Sequence, residues 1–174
     1  MNSKTDSQKE RMLRVDQAGE YGATRIYEGQ LAVMGNRAPG SSLIAGMAAQ
    51  EAGHRERFDA MMTARGVRPT ALQPVWSVAG YALGAATALM GPEAAMACTA
   101  AIETEIERHY TQQLETLGDA DAELAETIRE FRDDERAHHD AAIDAGARAA
   151  PGYPLLSGAI RLGCRLAIRL SEKV

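Results

Sequence analysis

Two Glu-x-x-His pairs constrain this chain more than any other feature of its sequence. Each pair follows a single upstream glutamate at nearly the same distance, 31 residues in one case and 32 in the other. The six residues are Glu20, Glu51, His54, Glu103, Glu135 and His138. On a helix, positions i and i+3 lie on nearly the same face, so each pair can aim a carboxylate oxygen and an imidazole nitrogen at one point. Four carboxylates and two imidazoles at this spacing predict a binuclear metal site.

Length and composition restrict the fold class. A chain of 174 residues suffices for one domain with a sizeable core and is too short for two ordinary domains. Alanine and leucine abound, and only 5% of the residues are aromatic, which favours helix over sheet. The sequence therefore predicts an all-α fold.

Apolar spacing and helix-breaking residues divide the chain into six predicted helices. A polar lead precedes the first, Pro92 suits the first turn of the fourth, and a serine in the segment 37–42 is the expected cap of the second. The first helix ends near Gly35, and the others cover about 43–64, 75–90, 92–117, 121–147 and 155–172.

An internal repeat relates the two halves of the chain. EYGATRIYEGQL, which begins at Glu20, and ETEIERHYTQQL, which begins at Glu103, share Glu, Arg, Tyr, Gln and Leu in register. Two similar helix pairs carrying these ligands predict a ferritin-like four-helix bundle, with an additional short apolar helix and a C-terminal amphipathic helix. We expect a single domain over residues 1–174, with 1–9 flexible and 155–172 forming the last helix.

The ligand types favour iron. Four carboxylates with a total charge of −4 neutralise two divalent cations, which the low-dielectric interior of a bundle requires. Oxygen and nitrogen ligands without thiolate fit iron or manganese better than structural zinc. A single Glu-x-x-His pair would more often be a solvated face, but two pairs in a duplicated frame favour metal. Four further glutamates are assigned to the surface: Glu28, Glu56, Glu105 and Glu107.

Three other polar residues lie near the predicted ligands. His109 and Tyr110 follow Glu103 by six and seven residues, so they are candidates to relay electrons or protons beside the metal, although His109 could equally pack between helices. His139 points about 100° away from His138 on the helix, and we interpret it as a surface residue or a support for the ligands.

Two segments are candidates for contact with a membrane. The stretch PVWSVAGYALGAATALM carries no charge, yet it is too short to span a bilayer, and a core helix is the leading interpretation. In the last helix, Arg161, Arg165 and Arg169 form a stripe beside leucines, which fits a basic surface helix and an ordinary docking helix equally well.

Charge and cysteine content exclude other classes. A net charge of −5 without a basic stripe argues against nucleic-acid binding. Cys98 and Cys164 are far apart in apolar contexts, which suits buried thiols in the cytosol better than a disulfide. The polar N-terminus has neither the apolar core of a signal peptide nor a spanning anchor.

At RVDQAGEYGATRIYEGQ, QEAGHRERF, RPTALQPVWSVAGYALGAATALMG, MACTAAIETEIERHY and FRDDERAHHD the chain resembles the demethoxyubiquinone hydroxylase family of ubiquinone biosynthesis. The likeness runs from about Arg11 to Leu170. Gln17, where many relatives carry His, and Arg169, where many carry Tyr, depart from the pattern.

The resemblance implies a di-iron monooxygenase that uses O₂ to hydroxylate the ring of a demethoxyubiquinone or demethoxyubiquinol. It implies that the six residues above are iron ligands, with Glu51 and Glu135 as bridges, and that the substrate is a polyprenylated quinone or quinol. It also implies a cytoplasmic protein attached peripherally to the inner face of the cell (inner) membrane.

Several points stay open at this stage. The electron donor could be NADH or the quinol form of the substrate, and any NADH site uses no dinucleotide fingerprint. A homo-oligomer and a lipid-binding accessory protein, which helps relatives, are both compatible with the sequence. The competing functions are a ferritin-like iron store and a metal-free helical interaction module.

Overall fold

The structure, a computed structural model, describes residues 3–173 and contains six α-helices and one short 3₁₀-helix in that range. The elements are α1 (Ser3–Met34), α2 (Ser41–Arg65), α3 (Gln73–Leu89), α4 (Pro92–Leu117), α5 (Ala122–Asp144), the 3₁₀-helix (Ala147–Ala149) and α6 (Tyr153–Ser171). The all-α prediction is confirmed, and the apolar helix and the C-terminal helix lie where the sequence predicts them.

Helix ends follow local sequence with three exceptions. α1 begins at Ser3, earlier than the polar lead predicts, and Met1 and Asn2 lie outside the described residues. α5 ends at Asp144, three residues before the predicted end. The predicted serine cap of α2 is wrong, because Gly40 occupies the cap in a left-handed conformation (φ 82°) and Ser41 is already helical.

Two compact units make up the chain. The N-terminal unit contains α1, α2 and α3 and also the last turns of α6, from Leu166 onwards; the C-terminal unit is Glu93–Arg165. Each unit carries one of the two predicted ligand sets. The single domain predicted over residues 1–174 and the flexibility predicted for 1–9 stay predictions.

In the N-terminal unit, α1 packs against both α2 and α3. The contact with α3 depends on glycine, since a Cβ added at Gly84 would lie 1.9 Å from the carbonyl oxygen of Ile26, and one at Gly29 would lie 2.2 Å from that of Tyr81. At both positions the obstructing atom belongs to the backbone, which cannot change rotamer to relieve the contact. The predicted small-residue contact face of α3 is therefore present.

The opposite face of α3 is exposed. Val78 is 72% exposed and Leu89 is 76% exposed, and no residue from 69 to 92 is charged. The core interpretation of this helix is therefore correct for one face and wrong for the other. None of the helices within residues 3–173 combines the length and the hydropathy that a membrane span needs.

The C-terminal unit has a core built on small side chains. The run Ala94–Ala101 at the start of α4 is buried throughout, as are Leu124 and Ile128 of α5. Arg136 of α5 pairs at the surface with Glu107 of α4, at 2.6 Å, and this carboxylate raises the pKa of the arginine. Both cysteines are free thiols; Cys98 is buried as predicted, whereas Cys164 is half-buried.

Candidate metal centre

The two Glu-x-x-His pairs lie on the buried faces of α2 and α5. Glu51 and Glu135 are completely buried, and His54 and His138 are almost so. Each pair shares its buried stripe with apolar neighbours at helical spacing, such as Phe58 on α2 and Phe131 on α5. Because these apolar stripes pack in the core, the Glu and His side chains on the same helix faces are buried as well.

The N-terminal unit brings three predicted ligands together. His54 Nδ1 lies 3.7 Å from Glu20 Oε2 and also 3.7 Å from Glu51 Oε2. Ligand atoms of all three residues lie within 4.8 Å of one another, close enough to hold one metal ion.

Burial and charge disturb the acid–base behaviour of this set. Burial is the main cause that raises the pKa of Glu20 well above its ordinary value, and the nearby Glu51 carboxylate raises it further. His54 acts in the opposite direction. Without a cation, the site therefore favours a protonated Glu20.

The C-terminal unit contains the equivalent set. His138 Nδ1 lies 3.5 Å from Glu135 Oε2 and 4.0 Å from Glu103 Oε1, and all three residues are buried. The imidazole atom that faces the carboxylates is Nδ1 in both units. Ligand atoms of this set also lie within 4.8 Å of one another.

Each set has the chemistry of a divalent cation site. Two buried carboxylates with one imidazole offer hard oxygen ligands and one nitrogen, and a cation removes the repulsion between the carboxylates. The buried Glu and His groups of both units can therefore bind metal.

Tyr110 and His109 lie on α4 beyond Glu103. Tyr110 is buried, whereas His109 is half-buried and contacts Gln113 through Nε2 at 2.9 Å. The rings of His109 and Tyr110 are 6.2 Å apart. His139, interpreted as a surface or supporting residue, is partly exposed and contacts Asp140.

Sequence reasoning missed Tyr27 and Gln30 as counterparts of Tyr110 and Gln113. Both are completely buried on α1, seven and ten residues after Glu20. The repeat aligns both tyrosines and both glutamines, so the sequence already contained the signal for this pairing.

Glu105 was wrongly assigned to the surface. Its side chain is only 1% exposed, and Oε1 accepts a hydrogen bond from Arg161 Nε of α6 at 2.7 Å. Burial, followed by the charges of Glu105 and Glu103, raises the pKa of the Cys164 thiol on α6 to about 12. Glu28 and Glu56 are exposed as predicted, and Glu107 is half-buried.

An all-helical chain with one buried carboxylate and imidazole set in each repeat has the features of the helix-bundle proteins that can hold metal ions between their helices. The comparison with known families is more specific. The family model described as "Ubiquinone biosynthesis protein COQ7" matches residues 7–171, and the chain belongs to this family.

Relatives from bacteria and eukaryotes agree with this membership. The 3-demethoxyubiquinol 3-hydroxylase of Rhodospirillum rubrum is 53% identical over 95% of this chain and 78% of its own length. The human NADPH-dependent 3-demethoxyubiquinone 3-hydroxylase, mitochondrial, is 49% identical over 95% of this chain and 77% of its own. The 5-demethoxyubiquinone hydroxylase, mitochondrial, of Saccharomyces cerevisiae is 39% identical over 95% and 78%.

Proposed function

We propose that this protein is an enzyme of ubiquinone biosynthesis that uses O₂ to hydroxylate the ring of a demethoxyubiquinone or demethoxyubiquinol. The observation that carries the proposal is the buried Glu-Glu-His set in each unit. It occurs in a chain whose relatives are named as hydroxylases of this ring.

The proposed ligands are the six residues of the two sets, and the proposed metals are two iron ions, ferrous in the reduced enzyme. Two carboxylates in each set balance one divalent cation, and the absence of thiolate suits iron. When bound, the iron would supply the electrons and the O₂ activation that place one oxygen atom on the ring and release the other as water.

The protein's own groups prepare this site for a cation. Burial of the carboxylates excludes bulk water, which strengthens every charge interaction inside the site. Because its pKa is raised in the metal-free protein, Glu20 must give up a proton before its carboxylate can bind a cation. His54 and His138 must present a neutral Nδ1 to act as ligands.

We further propose that His109 and Tyr110 relay electrons or protons to the ligands. The position of both residues on α4, nearly two turns beyond Glu103, supports this role. NADH and the substrate quinol are the proposed electron donors. Eukaryotic relatives are named as NADPH-dependent, so both nicotinamide nucleotides need to be tested.

A membrane surface is the proposed source of the polyprenylated substrate. The outer face of α3 is apolar and uncharged, and the end of α6 adds the exposed Leu166 and Leu170 within the same unit. Trp76 of α3 donates a hydrogen bond to Ser171 of α6 at 2.9 Å, which holds these two elements together. We propose peripheral attachment to the inner face of the cell membrane.

Ring chemistry is tested by anaerobic iron loading of the full chain, followed by O₂ and a short-chain demethoxyquinol. We expect one oxygen atom from labelled O₂ in the ring, detected by mass spectrometry. Iron-mineral growth without ring oxidation would instead indicate a store, and a protein that takes up no iron would contradict the proposed site.

Membrane attachment is tested by flotation of the protein with phospholipid vesicles. We expect wild type to float, and Val78→Asp to reduce the bound fraction by about tenfold, because a charge replaces an apolar side chain in the contact. Ala122→Asp, which adds the same charge at an exposed position of α5, is the matched control. Self-association or capture of a lipid-binding accessory protein by this face, without vesicle binding, would contradict membrane attachment.

A further inference from the structure

α6 turns both apolar and basic side chains towards the protein. Leu155 is 81% exposed and Leu162 is 64% exposed, whereas the Arg161 and Arg165 side chains are only 39% and 37% exposed. A helix that docks through the hydrophobic effect alone would bury its leucines and expose its arginines. Ile160 of α6 is buried, so apolar packing helps to dock the helix, but apolar packing alone does not explain the partial burial of the two arginines.

Glu105 supplies the opposing attraction. Its buried Oε1 lies 2.7 Å from Arg161 Nε and 3.8 Å from Arg165 Nη1, and Oε2 lies 3.7 Å from Arg108 Nη1 of its own helix. A carboxylate this deeply buried is strongly unfavourable unless it is paired and hydrogen-bonded. The pairing with α6 therefore requires the arginines to face inward.

The corresponding position in the other repeat carries no charge. Gly22 occupies the position on α1 that Glu105 occupies on α4, two residues after the ligand glutamate. A Cβ added at Gly80 of α3 would lie 3.0 Å from the Gly22 carbonyl oxygen, so α3 sits directly on the α1 backbone. The glycines of α6, Gly158 and Gly163, make no such approach.

We infer that Glu105 is a positioning residue that, together with the buried Ile160, sets the rotation of α6 about its axis. It draws Arg161 and Arg165 towards α4 and leaves Leu162 exposed. The consequence for function rests on the proposed membrane attachment, since the exposed Leu166 and Leu170 of α6 belong to the same unit as the apolar face of α3. Glu105 itself does not contact substrate in this inference. It determines which surface α6 presents.

The orientation is measurable in solution without lipid. In the full chain carrying Leu162→Cys and Cys164→Ser, we would measure the rate of thiol alkylation at position 162, with buried Cys98 as the unreactive reference. The rate should be fast when Glu105 is present. In Glu105→Gln it should fall by about tenfold, because a thiol turned inward reacts only from a locally opened state.

The sign of this change separates rotation from a simple charge effect. Loss of a nearby negative charge would lower the pKa of the introduced thiol and speed its alkylation. Slower alkylation therefore reports reduced exposure. Release of α6 is detected in the same samples as faster hydrogen exchange over residues 153–171, and it also supports the inference. Unchanged alkylation and unchanged exchange would overturn it.

Matched variants keep the test independent of folding defects. Glu107→Gln removes the same charge from the same helix and breaks a surface pair with Arg136, so it should leave α6 unchanged. Arg161→Gln should reproduce the effect of Glu105→Gln from a partly exposed position, and Arg161→Lys should restore the wild-type rate. An effect of Glu107→Gln equal to that of Glu105→Gln would contradict the inference.

Vesicle flotation then distinguishes the two proposals. If wild type binds vesicles and Glu105→Gln binds about tenfold less, both stand. If wild type does not bind while alkylation still depends on Glu105, the membrane proposal fails and the positioning role remains.

Discussion

At the scale of single residues, Glu135 and Glu130 lie on one helix in opposite environments. Glu135 is completely buried, whereas Glu130 is exposed. We predict that Glu135→Ala loses bound iron and all ring hydroxylation, because the set around His138 keeps only one carboxylate. Iron is measured by atomic absorption on anaerobically loaded protein, and product by mass spectrometry.

Glu130→Ala is the control for the ligand prediction. It removes a carboxylate from the same helix without touching the buried set, so iron content and turnover should match those of wild type. Full iron and full activity in Glu135→Ala would contradict the ligand assignment.

Tyr110 and Tyr27 allow a paired test of the proposed relay. Both are buried seven residues after a proposed ligand glutamate. Loss of either hydroxyl should therefore lower the free energy of unfolding by about 1 kcal/mol. We predict that Tyr110→Phe also lowers turnover at full iron content, whereas Tyr27→Phe does not. Steady-state rates with NADH, NADPH and a preformed quinol test this, and equal turnover in both variants and wild type would remove Tyr110 from the relay.

Residue spacing predicted the candidate ligands but not their surroundings. Two Glu-x-x-His pairs with upstream glutamates share a helical face by geometry alone, and the structure brings three of these residues together in each unit. The burial of Glu105 could not be read in the same way. It depends on Arg161, which lies 56 residues away and whose direction no local pattern specifies.

At the scale of elements, the α1–α3 contact is the most demanding backbone approach in the N-terminal unit. We predict that Gly84→Ala costs about 2 kcal/mol of unfolding free energy or more, because its Cβ would meet the Ile26 carbonyl oxygen at 1.9 Å and α3 would have to move. Urea denaturation followed by circular dichroism measures the change.

Gly46→Ala on α2 is the matched control for this contact. A Cβ there meets nothing within 4 Å, so replacing a helical glycine should stabilise the protein by roughly 0.5–1 kcal/mol. Equal effects of the two substitutions would show that α3 does not depend on this approach.

Helix ends were predictable where local chemistry decides them. α4 begins at Pro92 and ends at Leu117, as predicted, because proline suits a first turn and Gly118 takes a positive φ of 50° after the last. The exposed faces of α3 and α6 were not predictable. Apolar periodicity shows that a face avoids water but not whether protein or lipid covers it.

At the scale of the whole molecule, the stability of the metal-free protein should depend on pH through the buried Glu20, and bound iron should change that dependence. Burial and Glu51 raise the pKa of Glu20, so at pH values above the ordinary glutamate pKa of about 4.3 the unfolded chain has lost a proton that the folded chain retains. The free energy of unfolding should therefore fall as pH rises, by up to about 1.4 kcal/mol per pH unit for this proton.

We predict that the metal-free protein melts at a higher temperature near pH 5 than near pH 8, measured by circular dichroism across that range. Glu20→Gln should flatten this dependence, because the amide has no proton to lose. Iron-loaded protein should show the opposite slope, since deprotonated carboxylates bind a cation more tightly as pH rises. If metal-free wild type and Glu20→Gln show the same dependence on pH, then Glu20 does not hold the proton that the folded chain retains, and the prediction is wrong.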